Sequence, residues 1–261
     1  MWFDKIMEDC KEALIISKKN KGIFIPIFIQ LGFSFFLGIL IAIIVIVSII
    51  GTFRVNFGSF NTWQSFVSIL PVAIGFVIII SLIAIIFNAL LEVGSISLYK
   101  AAVEGIKPTS KHFFQGIKNY FLKVFGGSMF LGIVGLILSP IIFALLILYT
   151  VIIGVLTAGW GMTFLSTILL VFFLPWPIIV VLDNISPIKA IGKSFVFGKK
   201  NFLALFIVLL AYTLLTRYLV SGLGIFVAAF GGWFLVGVLA TYIKVVVILF
   251  YKRESETVVY K

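Results

Sequence analysis

The chain has 261 residues, of which 62% are hydrophobic and only 11% are charged, and its formal net charge is +11. A mean hydropathy of +1.29 excludes a soluble globular domain, because no single core of this size could keep so much apolar surface from water. The excess of positive charge indicates attraction to anionic lipid headgroups at a membrane surface and argues against nucleic acid as a partner.

Hydrophobic runs long enough to cross a bilayer recur six times along the chain. A hydrocarbon core about 30 Å thick needs roughly 20 helical residues. Such runs cover approximately residues 23–50, 69–91, 121–149, 152–182, 202–223 and 225–251. We expect Pro175 and Pro177 to bend or break the fourth run, because proline removes a backbone donor and clashes one turn back. The pattern predicts an all-α integral membrane protein with six transmembrane helices in a single domain, residues 1–261.

Amphipathic segments precede the first, third and fifth spans, at residues 1–22, 108–120 and 186–201. On a helical wheel of the first segment, Ile6 and Ala13 belong to an apolar stripe, whereas Asp9 falls with the charged residues of the other face. In the last segment, Ile188 and Phe195 lie opposite a row of lysines. This pattern is typical of helices that lie in the membrane interface.

Each amphipathic segment ends in a lysine–asparagine pair, namely Lys19-Asn20, Lys118-Asn119 and Lys200-Asn201. We therefore predict three hairpins of two spans, each preceded by a cytoplasmic interfacial helix, as a threefold repeat. The alternative is that cytoplasmic loops acquire the same composition independently. With six spans, every large basic cluster falls on one side of the membrane, so the positive-inside rule places both termini in the cytoplasm.

The segment FLPWPIIVVLDNISPIKAIGKSFVFGKKNFLALF carries a resemblance to a known family. Its features are an apolar run ending near Asp183, then Ala190, Ser194 and the element Gly198-Lys199-Lys200-Asn201. They resemble the signature of poorly characterised prokaryotic six-span proteins, which are similar to the membrane domain attached to some glycerophosphoryl diester phosphodiesterases. The resemblance implies a helical domain in a prokaryotic cytoplasmic membrane, linked to lipid or envelope metabolism. The catalytic phosphodiesterase part is absent, so no catalytic residue carries over.

Charged and polar side chains within the spans are costly and therefore merit attention. Glu92 and Lys244 lie at similar depth and can form an interhelical pair, although the reading we favour is that Lys244 snorkels while Glu92 is hydrated. Arg217 either lines a cavity, contacts a lipid phosphate or snorkels to the outer headgroups. The candidate lining of a polar cavity is Gln30, Asn88, Glu92, Asp183, Arg217 and Lys244.

Three of these candidates also have simpler structural roles. We expect Gln30 and Asn88 to hydrogen-bond across helices. Asp183 is expected to begin the turn into the third interfacial helix, with a proton relay as the alternative. Lysines of the amphipathic segments are candidates for binding lipid headgroups or a docking partner, and they are Lys18, Lys19, Lys118, Lys189, Lys193, Lys199 and Lys200.

Enzyme signatures are missing from the sequence. A single cysteine and a single histidine exclude a disulfide framework and a multi-histidine metal site, and no phosphate loop or serine-nucleophile motif occurs. We predict neither catalysis nor a cofactor. Two functions remain: a membrane component of a transport or lipid-handling system that acts with a separate protein subunit, or a scaffold that organises other membrane proteins or the bilayer.

Overall fold

A computed structural model of the chain describes residues 2–56, 62–153, 155–222 and 233–259, and every regular element within these ranges is helical. A short 3-10 helix, Lys21–Phe24, follows the first α-helix. The α-helices are α1 Trp2–Lys19, α2 Ile25–Asn56, α3 Thr62–Val103, α4 Ser110–Ile153, α5 Val155–Phe173, α6 Pro175–Asp183, α7 Pro187–Lys200, α8 Phe202–Gly222 and α9 Trp233–Val259.

Six segments of these helices are long and apolar enough to cross a membrane. They are Lys21–Ile44, Ile74–Val103, Ser110–Ala144, Trp160–Asp183, Phe202–Leu219 and Phe234–Ser255. An all-α, multi-pass membrane protein is thereby confirmed at the level of helix length and composition. The predicted turn between the third and fourth spans includes Gly154, which lies outside the described residues. Residues 223–232, where the fifth predicted span ends and the sixth begins, are also outside them.

The lysine–asparagine pairs mark helix ends at two of their three positions. Asn20 and Asn201 leave helical geometry, with φ of −115° and −113°, and they separate α1 and α7 from the spans that follow. Asn119 instead lies inside α4, so residues 108–120 do not form a separate helix. The buried positions Phe113, Gly116 and Val124 continue in one helical phase, and no proline interrupts the run before Pro140.

The break predicted at the paired prolines is present. Helix α5 ends at Phe173, and α6 begins at Pro175 after the single residue Leu174. At the end of α6, Asn184 takes the left-handed conformation with φ of 53°, and Pro187 then occupies the first turn of α7. This sharp turn lets α7 pack against α6.

The chain divides into two compact units, one made of Met1–Ile27 with Ala89–Lys261 and the other of Phe28–Asn88. In the first unit, α9 packs against α1 and α8, while α5 packs against α7 and α8. Its core contains Ile178, Ile179 and Ile248, which are fully buried. Glycine permits a close approach at Gly127, where an added Cβ would lie 2.6 Å from the Trp176 ring.

The second unit consists of the parts of α2 and α3 between Phe28 and Asn88. The rings of Phe33 and Phe87 stack with their centroids 3.4 Å apart, which brings the two helices into contact. Large apolar side chains such as Phe36 and Val47 are exposed in this unit, at 60% and 62% of their surface.

Candidate functional site

Residues near the end of α9 make a row of polar contacts within the first unit. Four consecutive residues there each contact a different segment: Tyr251 donates to Asp183 in α6 over 2.7 Å, Lys252 faces Glu104 over 4.0 Å, Arg253 binds Asp9 in α1, and Glu254 accepts from Lys200 in α7. Successive helical residues point about 100° apart, so these contacts surround the helix. We call these eight residues the α9 cluster.

Asp183, at the end of α6, contacts both α9 and α7. Besides the Tyr251 hydroxyl, its Oδ2 accepts a hydrogen bond from Nζ of Lys193 in α7, over 2.7 Å. The neighbouring Asn184 accepts from Lys123 through its side-chain oxygen, over 2.8 Å. The carboxylate thus fixes the turn between α6 and α7, which is the structural role expected for it.

Asp9 is the residue that the sequence analysis placed wrongly. It was assigned to the charged face of α1, but only 3% of it is exposed, and it shares the buried face with Ile6, Ala13 and Ser17. The spacing of three, four and four residues between Ile6, Asp9, Ala13 and Ser17 is typical of one helix face, and it would have placed Asp9 on the buried face. Burial raises the pKa of Asp9 to about 6, since it outweighs the opposing effect of Arg253, and Glu12 and Glu8 add to the rise.

Glu92 and Lys244 form the interhelical ion pair that we considered less favoured than snorkelling. Nζ of Lys244 donates to Oε2 of Glu92, and the two side chains keep 19% and 27% of their surface exposed. The Tyr99 hydroxyl bonds to Thr241 over 3.1 Å, also between α3 and α9. Two polar links therefore hold these helices together inside the apolar spans.

Arg217 in α8 binds a different helix, α5. Its Nη1 donates to Oγ1 of Thr163 in α5 over 2.7 Å, and one turn away Thr167 bonds to Thr213 over 3.4 Å. Thr163 precedes Asp183 by twenty residues, or about 30 Å of helical rise. The contact of Arg217 with α5 is therefore at a level well removed from Asp183.

Gln30 and Asn88 belong to the second unit, and both are exposed. Neither side chain makes a hydrogen bond within the part of the chain that the structure describes. The expected hydrogen bonds of these two residues across helices are therefore not seen among the described residues.

The candidate headgroup lysines divide into two groups. Lys193 and Lys200 are bound to Asp183 and Glu254. The other five are exposed and have no ion pair with any described residue; they are Lys18, Lys19, Lys118, Lys189 and Lys199. This difference decides which lysines are available to an anionic ligand.

No group of three metal-binding side chains occurs among the described residues. A very small pocket beside Asp9 is lined by Ile6, Leu205, Val246 and Phe250 among others. Its walls are almost entirely apolar, and it offers a polar ligand only the Asp9 carboxylate, which already binds Arg253.

Comparison with known proteins adds no relative. No family model, no curated protein and no solved structure matches the chain. Any function must therefore be argued from the residues themselves.

Proposed function

We propose that the chain is a non-catalytic membrane component of a transport or lipid-handling system and acts together with a separate protein subunit. The observation that carries this proposal is the uneven burial of the spans. In the most apolar stretch of the first, second, third and fifth spans, only 6%, 12%, 6% and 11% of residues are buried, against 50% in the fourth and 44% in the sixth. Four of the six spans thus leave most of their apolar residues accessible to lipid or to another protein.

The polar groups support handling of an apolar ligand rather than a polar solute. A path for polar solutes needs convergent polar side chains along a water-filled cavity. Here Glu92 binds Lys244, Arg217 binds Thr163, and Asp183 is held by Tyr251 and Lys193. Groups engaged in this way stabilise helix contacts, and they leave the exposed apolar faces as the larger binding surface.

The arrangement in the membrane belongs to the same proposal. Three two-span hairpins follow cytoplasmic amphipathic segments, and both termini are cytoplasmic, as the lysine distribution favours. Exposed apolar residues beside lysines support an interfacial position: Ile188 and Val196 in α7 are exposed at 71% and 70%, next to Lys189 and Lys199.

Membership of the prokaryotic six-span proteins that resemble a phosphodiesterase-associated membrane domain remains part of this proposal. It rests on the sequence element from Asp183 to Asn201, which forms the turn after α6 and the whole of α7. If it holds, the separate subunit or the ligand belongs to lipid or envelope metabolism.

A scaffold function is the second candidate, and the five exposed lysines that pair with no described residue favour it. Lysines beside exposed apolar residues can hold a surface of anionic lipid, at about 1 kcal/mol for each basic residue near the surface. Such a chain would organise the bilayer or neighbouring proteins without handling a ligand.

Native mass spectrometry on protein extracted gently from its own membranes tests the first proposal. We expect a stoichiometric protein subunit or a retained phospholipid precursor. A chain that carries only bulk lipid and no other protein contradicts the stable-complex proposal and favours the scaffold.

Binding of anionic lipid distinguishes the lysine groups. Lys189→Gln with Lys199→Gln should weaken binding of phosphatidylglycerol to the detergent-solubilised protein, as measured by native mass spectrometry. The matched control, Lys193→Gln with Lys200→Gln, removes the same charge from residues already paired and should have a smaller effect. Equal effects would show that net charge alone matters.

A further inference from the structure

The polar side chains that the structure describes in the second unit share one face. Between Phe28 and Val47 and between Pro71 and Asn88, the described polar ones are Gln30, Ser34, Ser81 and Asn88. All four are exposed. We call these four residues the polar face.

The stacked rings fix the register of α2 against α3. Phe33 lies 23 residues before the end of α2, and Phe87 lies 25 residues after the start of α3, so the helices run side by side in opposite directions. Around α2, Gln30 and Ser34 lie about 60° and 100° from Phe33, at about 100° per residue. Around α3, Ser81 and Asn88 lie about 120° and 100° from Phe87.

These rotations turn toward the same side, because the helices have opposite directions. The two amides are also close in height: Gln30 lies about 4.5 Å and Asn88 about 1.5 Å from the level of the stacked rings, toward the same end. The unit therefore has one side with two amides and two hydroxyls, and Ile86 and Phe36 lie on the opposite side.

Both amides lie well inside their spans. Gln30 is the tenth residue of the span Lys21–Ile44, and Asn88 is the fifteenth of Ile74–Val103. Within the described part of the chain, neither amide has a hydrogen-bond partner. A polar group left without one in hydrocarbon costs several kcal/mol, and acyl chains offer none.

We propose that the polar face is the interface with a second copy of this chain. A two-fold axis along the membrane normal brings Gln30 of one copy to Asn88 of the other, and Asn88 of the first to Gln30 of the second. Each amide carries both donor and acceptor groups, so these reciprocal pairs satisfy one another. Ser34 and Ser81 have small side chains that let the helices approach closely. This proposal is independent of the transport or scaffold function.

Cysteine cross-linking between two differently tagged copies tests this geometry, in a Cys10→Ser background that removes the only native cysteine. One copy carries Gln30→Cys and the other Asn88→Cys. The matched control uses Phe36→Cys and Ile86→Cys, which are at mirrored positions: three residues from Phe33 and one from Phe87, but on the opposite side. We expect a mixed-tag covalent dimer from the first pair only.

Dimerisation measured by energy transfer in lipid vesicles provides a second test. The double change Gln30→Leu with Asn88→Leu should raise the dimer dissociation constant about ten-fold or more, on the basis of two lost amide pairs. Leucine is favourable in lipid, so helicity by circular dichroism should not fall. The control Gln115→Leu, an exposed glutamine near the start of α4, should leave dimerisation unchanged.

Three results overturn the proposal. Equal cross-linking of test and control pairs shows no preferred face, and an unchanged dissociation constant shows that the amides do not carry the interface. A chain that is monomeric in vesicles, but loses a different co-purified membrane protein on the double change, identifies that protein as the occupant of the face.

Discussion

Replacing Lys244 with methionine should destabilise the first unit by about 2–3 kcal/mol. Breaking a fully buried ion pair costs about 3–5 kcal/mol, whereas an exposed pair contributes about 0–1 kcal/mol. Here Lys244 and Glu92 keep 19% and 27% of their side-chain surface exposed, which places the cost between these limits. Methionine keeps an unbranched side chain in the same space, so the loss reports the uncompensated Glu92 carboxylate rather than a cavity.

The double change Glu92→Leu with Lys244→Met should recover most of that loss, because apolar replacements of a buried pair are often nearly neutral. Unfolding by SDS in bicelles, followed by far-ultraviolet circular dichroism, gives the free energies of the two single variants and the double variant. The reasoning is refuted if the effects of the single changes add to within about 0.5 kcal/mol, since the side chains would then be uncoupled.

Three further predictions concern Asp9, Gly127 and Asn184. The pKa of Asp9 is raised from 3.8 to about 6 in the folded chain. The contribution of Asp9 to stability is therefore present below about pH 4 and is lost as pH rises through about 6. The melting temperature of the wild type relative to Asp9→Asn should fall across that window, and a pH-independent difference would contradict this prediction. Gly127→Ala should lower the free energy of unfolding by about 1–3 kcal/mol, because the new Cβ meets Trp176 at 2.6 Å and Pro187 at 3.0 Å. The control Gly126→Ala has open space around its new Cβ and should be neutral in the same SDS unfolding assay. Asn184→Val should lower the free energy of unfolding by about 1–2 kcal/mol or more, because a β-branched residue is strained at φ of 53° and cannot bond to Lys123. Asn184→Gly should have a smaller effect, because glycine adopts this backbone conformation without strain. Equal losses of stability in the two variants would show that the backbone conformation is not the cause.

The spans could be predicted from the sequence because membrane insertion depends on the length and apolarity of a run, which are local properties. Helix ends were less predictable. The same lysine–asparagine pair ends a helix at Asn20 and at Asn201 but not at Asn119, where the buried positions on either side stay in phase. The lysine–asparagine pair alone does not determine whether the helix ends there, because the packing of the flanking helical turns determines it.

Ion pairs could be anticipated only where depth limited the choice of partner. Glu92 and Lys244 lie at similar depth, so the sequence allowed their pair, although snorkelling of Lys244 was the favoured interpretation. In the α9 cluster the sequence offered many lysines at one membrane surface and no reason to choose among them. The choice of Lys193 for Asp183 and of Lys200 for Glu254 depends on how α7 packs against α6 and on where α9 ends.

Gln30 and Asn88 show what the register adds to the sequence. Their positions in apolar runs of the sequence favoured hydrogen bonds across helices of the same chain, because polar side chains in apolar spans are more stable when they are hydrogen-bonded. The stacking of Phe33 on Phe87 fixes which side of each helix faces the other, and that register turns both amides outward onto one common side. The need for a partner is unchanged, and no described residue of the chain supplies one, which is why the proposed partner is a second copy. The contact between Phe33 and Phe87 is thus the reason why Gln30 and Asn88 are interpreted as part of an interface rather than as packing residues within the chain.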